Sequence, residues 1–138
     1  MTSTSRQGQA VAPETAVGVM VVDDQPAFRR AARAVIEATA GFVPVGDAAS
    51  GPEALRYADQ LRPDLVLMDV YMPGMDGFEA ARRLTEAHPG CVVVLVSLDD
   101  LEDVPALVAS CGAAEFVRKQ ELRPRILRGL WTVYGPRR

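Results

Sequence analysis

Cys91-Val92-Val93-Val94-Leu95-Val96-Ser97 decides the fold. Five consecutive large apolar residues cannot be divided between a buried face and a wet one, so a strand made of them must be covered on both sides. Helices packed on both faces of a parallel sheet provide that cover. Working outward, the same alternation recurs. Val17 to Val22, Phe42 to Ala48 and Leu65 to Met68 are short apolar runs, separated by helical patterns over Pro26 to Ala40, Gly51 to Leu61 and Phe78 to Ala87. Beyond the central run come a helical pattern from Leu101 to Cys111, a short strand candidate from Glu115 to Arg118 and a last helix from Leu122 to Trp131. The pattern predicts five β-α units with no internal repeat.

The element ends carry matching chemistry. Ser50-Gly51-Pro52-Glu53 has the form of a capping box, and Asp76-Gly77-Phe78-Glu79 repeats it with Asp in place of Ser. Gly112 follows Cys111 where a helix needs a left-handed stop. In the first helix Phe28, Ala31, Ala32, Val35 and Ile36 share one face, which leaves Arg29, Arg30 and Arg33 directed mostly to solvent. Pro105 is tolerated only near a helix start, which favours Asp103 or Val104 as the beginning of the fourth helix.

Composition bounds the function. The 138 residues are 49% hydrophobic and 24% charged, enough for one domain and no second. Residues 1–15, rich in Ser, Thr, Gln, Ala and Pro, read as a flexible tail, residues 16–131 as the folded domain and 132–138 as a short C-terminal tail. Fifteen Lys and Arg against eighteen Asp and Glu give a net charge of −3, which argues against direct contact with nucleic acid. The longest apolar run falls far short of the roughly 20 residues that span a bilayer, so membrane insertion is not expected. Two cysteines and no leader-like segment suggest a reducing cytoplasm. Cys91 and Cys111 are expected at the amino-terminal edge of the sheet, with room to lie near each other, buried and structural, and His88 is expected on the surface. Arg123, Arg125, Arg128, Arg137 and Arg138 read as a solvated basic end.

In an open parallel α/β sheet, function gathers beyond the carboxyl ends of the strands. Here the first strand ends in Asp23-Asp24, the third in Asp69 and the fourth in Ser97, and the fifth is followed by Lys119. Three carboxylates a few ångströms apart repel one another by several kcal/mol unless protons or a cation offset the charge. A hard, oxygen-only donor set suits Mg²⁺. A divalent ion, a spare carboxylate and a lysine together make a place where a carboxylate can attack phosphorus to form an acyl phosphate. Ser97 would then bond a phosphoryl oxygen present only in the modified state, which biases a conformational equilibrium.

These residues resemble the receiver domains of two-component response regulators. The matching pieces are Val21-Val22-Asp23-Asp24-Gln25, Leu67-Met68-Asp69-Val70-Tyr71-Met72-Pro73-Gly74-Met75-Asp76-Gly77, Leu95-Val96-Ser97, Gly112-Ala113 and Phe116-Val117-Arg118-Lys119. Spacings of 45 residues from Asp24 to Asp69, 28 from Asp69 to Ser97 and 22 from Ser97 to Lys119 agree with the family's order. The resemblance implies a flavodoxin-like doubly wound (βα)5 fold with strand order 2-1-3-4-5. It implies that Asp69 is the phosphoacceptor and that Asp23, Asp24, Asp69 and the backbone carbonyl of Tyr71 hold Mg²⁺. Ser97 and Lys119 would bind the phosphoryl group, Ser97 and Phe116 would form the switch, Tyr71 and Asp99 would tune dephosphorylation, and Leu98 would tune the access of donors and water to the phosphoryl site. Leu98 replaces a residue that is usually small in the family. Gln120 stands where proline is frequent, so no cis peptide is expected there.

The function so implied is a stand-alone, non-enzymatic receiver that accepts a phosphoryl group from a sensor histidine kinase or histidine phosphotransfer protein. It would signal to a downstream protein, or form a homodimer, through the face of the fourth helix, fifth strand and fifth helix. Seven residues after Trp131 leave no room for a helix-turn-helix, so this chain is not expected to read DNA. Leu98 leaves open an interaction module that works without phosphorylation. A Mg²⁺-dependent phosphatase with an aspartyl nucleophile fits least, because those enzymes carry two aspartates one residue apart and Asp23 and Asp24 are adjacent.

Overall fold

The structure is a computed structural model that describes residues 15–136, so nearly all of the expected N-terminal tail lies outside the described residues. Its elements alternate as the sequence predicts: β1 (Val17–Val22), α1 (Pro26–Glu37), β2 (Phe42–Ala48), α2 (Gly51–Leu61), β3 (Leu65–Asp69), α3 (Gly77–Ala87), β4 (Val92–Ser97), α4 (Val104–Cys111), β5 (Glu115–Arg118) and α5 (Pro124–Tyr134), with a 3₁₀ turn over Lys119–Glu121. The five strands pair in parallel in the order β2-β1-β3-β4-β5, the doubly wound flavodoxin-like arrangement.

The unbroken apolar run of β4 is buried throughout, and its side chains divide by the strand's period of two. Val93 and Leu95 join Met20, Val22, Val66 and Met68 beneath Ala54 and Ala58 of α2, Ala80, Ala81 and Leu84 of α3, and Cys111 of α4. Val92, Val94 and Val96 join Val19, Val21, Leu65 and Leu67 beneath Ala32 and Ile36 of α1 and Leu127 and Leu130 of α5. Three helices therefore cover one face and two the other.

Side-chain caps start two of the five helices, α2 and α3. The Ser50 hydroxyl accepts the Glu53 amide at 3.3 Å, while the Glu53 carboxylate reaches back one residue further than a standard capping box, to the amide of Ala49 at 2.8 Å. Asp76 accepts the Glu79 amide at 2.9 Å, but Glu79 pairs with Arg82 and Arg83 on its own helix instead of reaching back. Gly112 closes α4 in the left-handed region, with φ +78°.

Some boundaries and faces differ from expectation. α1 stops at Glu37 instead of Ala40, and Ala31 is exposed, so the buried stripe is narrower than the apolar pattern. α4 begins at Val104, as Pro105 suggested, and Leu101 lies before it. α5 begins at Pro124 instead of Leu122 because the residue before a proline is driven to extended backbone, and Arg123 is at φ −156° and ψ 167°. The same helix runs to Tyr134, past the boundary expected at Trp131, where the Tyr134 hydroxyl donates to Glu115 at 2.9 Å. His88 is not a free surface group: its ring Nε2 lies 2.8 Å from the Asp59 carboxylate and ties the end of α3 to α2. Cys91 and Cys111 are both free thiols packed on the α2-α3-α4 side of the sheet. Burial, assisted by the Asp64 charge, pushes the Cys91 thiol up to about 12, which keeps it protonated and inert. Among the described residues every peptide bond is trans, and no helix is long and apolar enough to cross a membrane.

Candidate phosphoryl-acceptor site

Strand register builds the site. Val22 of β1 lies opposite Met68 of β3, Met68 opposite Leu95 of β4, and Leu95 opposite Phe116 of β5. The next residues along β1 and β3 are Asp23 and Asp69. Ser97 follows two residues after Leu95, and Lys119 three after Phe116. All four therefore emerge from one edge of the sheet. The acids flank the β1-β3 junction, where the order of the strands reverses and a crevice opens between diverging connections.

Asp23, Asp69 and Ser97 are buried, and Asp24 is half-buried. Carboxylate oxygens of Asp23, Asp24 and Asp69 lie within 4.8 Å of one another. The Lys119 ammonium is 2.6 Å from Asp23 Oδ2 and 3.4 Å from Asp69 Oδ1. Asp23 Oδ1 accepts the Gln25 amide at 2.8 Å, whereas Oδ2 has no hydrogen-bond donor beyond that ion pair. A buried, all-oxygen cluster with one oxygen held only by a displaceable lysine fits a hard divalent cation.

Burial, and then the Asp23 charge, push the Asp69 carboxyl up to about 6 from 3.8, against the opposing pull of Lys119 and the Tyr71 amide. The group is thus ionised at neutral pH, yet more basic than an ordinary aspartate and a correspondingly better nucleophile. The backbone of the next residue, Val70, is held twice. The Val70 amide donates to Val96 at 3.1 Å, and the Gly77 amide at the start of α3 donates to the Val70 carbonyl at 2.9 Å. A Cβ at position 77 would lie 2.1 Å from the Asp69 carbonyl oxygen, so only glycine lets α3 approach this closely.

The response regulator receiver domain family matches residues 19–130 of the chain. The chain belongs to that family. This receiver domain is 40% identical over 103 residues to the response regulator GacA of Pseudomonas viridiflava, a match that covers 75% of the chain and 48% of the relative. It is 44% identical over 85 residues to a protein-glutamate methylesterase/protein-glutamine glutaminase of Hahella chejuensis, covering 62% of the chain and 24% of the relative. The receiver thus spans about half, or less, of the length of these curated relatives. Among solved structures, the response regulator domain of Thermotoga maritima CheB superposes with a TM-score of 0.78 at 25% identity, covering 89% of this chain and 99% of that one.

The receiver brings Asp23, Asp24, Asp69 and Lys119 into one cluster. Ser97 ends the strand beside Asp69, and its oxygen accepts the Asp99 amide at 3.2 Å, which leaves its own proton to donate. Phe116 is half-buried against the α2-α3-α4 side of the core. Tyr71 and Leu98 are exposed, with 61% and 64% of their surface open, and the Leu98 carbonyl accepts the Gln120 side chain at 3.2 Å. Two residues that the sequence reading placed elsewhere also reach the site. Arg29, read as facing solvent, donates to the Asp23 carbonyl at 2.7 Å and to Asp47 at 3.2 Å. Phe28, read as core, has its ring centroid 4.7 Å from the Lys119 ammonium. Their position in the first turn of α1, just after the acid pair, was the one signal available.

Proposed function

We propose that this receiver accepts a phosphoryl group on Asp69 from a phosphohistidine of a sensor histidine kinase or histidine phosphotransfer protein, with Mg²⁺ held by Asp23, Asp24, Asp69 and the Tyr71 carbonyl. The observation that carries the reading is the buried Asp69 carboxylate 3.4 Å from the Lys119 ammonium, at the edge where the other two acids converge. A carboxylate oxygen of Asp69 attacks phosphorus in line; the bond from phosphorus to the donor imidazole nitrogen breaks, and its electron pair returns to that nitrogen. The product is an acyl phosphate on Asp69. Bound Mg²⁺ supplies positive charge to the phosphoryl oxygens and removes the mutual repulsion of the acids. Lys119 neutralises a phosphoryl oxygen, and Ser97 gives it a hydrogen bond that the unmodified protein lacks.

Ser97 and Lys119 lie at the ends of β4 and β5, so that bond acts on the side of the molecule carrying α4, β5 and α5. Phe116 borders a groove of about 470 Å³ there, with Arg123 and Ile126 on its other wall. This face is the proposed output surface, for a downstream protein or a second copy. The receiver is read as a signalling module in the cytoplasm, with no turnover of its own beyond release of its phosphoryl group.

Intact mass after incubation with Mg²⁺ and acetyl phosphate tests the reading, with Asp69→Asn as control. One phosphoryl group added to the parent and none to the control is the expected result. No addition to a parent that still binds Mg²⁺ would overturn it, and would favour a receiver that docks partners without phosphorylation.

A further inference from the structure

Lys119 is the sole lysine of the 138-residue sequence, against fourteen arginines. It projects from the 3₁₀ turn that follows β5, and its side chain is only 10% exposed. Two of its neighbours are the carboxylates of Asp23 and Asp69. The third is a ring: the ammonium stands 4.7 Å from the centroid of Phe28, which is packed on the α1-α5 side of the core.

We propose that Phe28 is a positioning residue that seats the Lys119 ammonium against the acidic cluster. The inference rests on the reading of Lys119 as the phosphoryl-binding lysine for its consequence, though not for the contact itself. An ammonium in this crevice has lost most of its water and must be compensated from the protein. Its shortest contact is with Asp23 Oδ2, the same oxygen that has no hydrogen-bond donor and suits a cation. A cation held there would weaken that ion pair, and a flexible four-carbon stem would then be free to swing into solvent. An aromatic face keeps the ammonium in place without contributing a formal charge, because the ring's quadrupole attracts a cation and leaves the carboxylates to the metal. Phe28 is well placed for this. It lies on the first turn of α1, a helix fixed to the same strand end by the Arg29 bond to the Asp23 carbonyl.

The single lysine makes the test direct. Protein labelled with ¹³C only in lysine gives one ε-methylene signal, and a ring face close to it displaces that signal upfield. The expected result is an upfield ε-methylene in the parent, both in chelator and at saturating Mg²⁺. Phe28→Tyr should keep that position, and Phe28→Leu should move it toward the value of a free lysine. At saturating Mg²⁺, Phe28→Leu should also slow phosphoryl uptake from acetyl phosphate on the order of tenfold, with Phe28→Tyr restoring it. A parent signal at the free-lysine position, or one unmoved by Phe28→Leu, overturns the proposal. So does a signal that moves while uptake is unchanged. A parent that takes up no phosphoryl group at all instead counts against the proposed function, and the methylene signal still decides whether Phe28 seats the lysine.

Discussion

At the scale of single residues, the proposed acceptor site depends on a glycine as much as on its acids. Gly77 does not adopt a positive φ, so its requirement is one of space. Any Cβ there meets the Asp69 carbonyl oxygen at 2.1 Å and the Val70 Cα at 2.8 Å, and both are backbone, which cannot turn aside as a side chain can. Gly77→Ala must therefore push α3 away from β3 or displace Asp69 itself. The expected cost is about 3 kcal/mol, the upper part of the range for overpacking, read as a lower urea midpoint with unchanged slope. Phosphoryl uptake should slow in the same variant, because Asp69 moves with its carbonyl. Gly90→Ala is the control, since a Cβ at that position meets nothing within 4 Å. Equal midpoints for the two variants would show that α3 yields without disturbing Asp69.

At the scale of elements, α4 differs from its neighbours. It is eight residues long and buries only Cys111, whereas α3 buries Gly77, Ala80, Ala81 and Leu84. Its N-cap, Asp103, sits at φ +54° and makes no side-chain cap, so the first turn combines left-handed strain with the lack of a capping side chain. Amides of α4 should therefore exchange with deuterium through local opening, well before those of α3, and exchange of both at one common rate would contradict this. A loosely held α4 next to Ser97 is also the element that a new bond at Ser97 can most readily redistribute. The sequence made such elements legible to different degrees. β4 could be read because an apolar run has only one way to be buried, and Asp23, Asp69, Ser97 and Lys119 could be read because parallel register gathers strand ends on one edge. Phe28 and Arg29 could not, because helical periodicity separates a sheet-facing side from a solvent side and has no category for a first turn that overhangs a strand end. The end of α5 escaped for another reason: it rests on the Tyr134 bond to Glu115, a contact 19 residues apart that no local pattern encodes.

At the scale of the whole molecule, the acidic crevice trades stability for function, and pH shows the exchange. Asp69 titrates near 6 in the folded, metal-free protein and near 3.8 when free of its surroundings, chiefly because of burial and secondarily because of Asp23. Between those values the folded protein holds a proton that the unfolded chain has released. Stability then falls as pH rises; the contribution is complete below 3.8 and gone above about 6. Asp69→Asn keeps the shape and removes the titration, so in chelator its stability advantage over the parent should be small near pH 4, grow through the window and level off by neutral pH. On the proposed reading, Mg²⁺ would bind the ionised cluster and add stability by mass action only where the carboxylates are ionised. It should therefore raise the parent's melting temperature at pH 7, do little at the acid end of the window, and do less for Asp69→Asn at either. A gap between parent and variant that stays constant across pH in chelator would mean that burial does not hold a proton on Asp69. In that case the repulsion among the three acids would have to be relieved elsewhere, with Lys119 and its 2.6 Å contact to Asp23 as the remaining source of compensation.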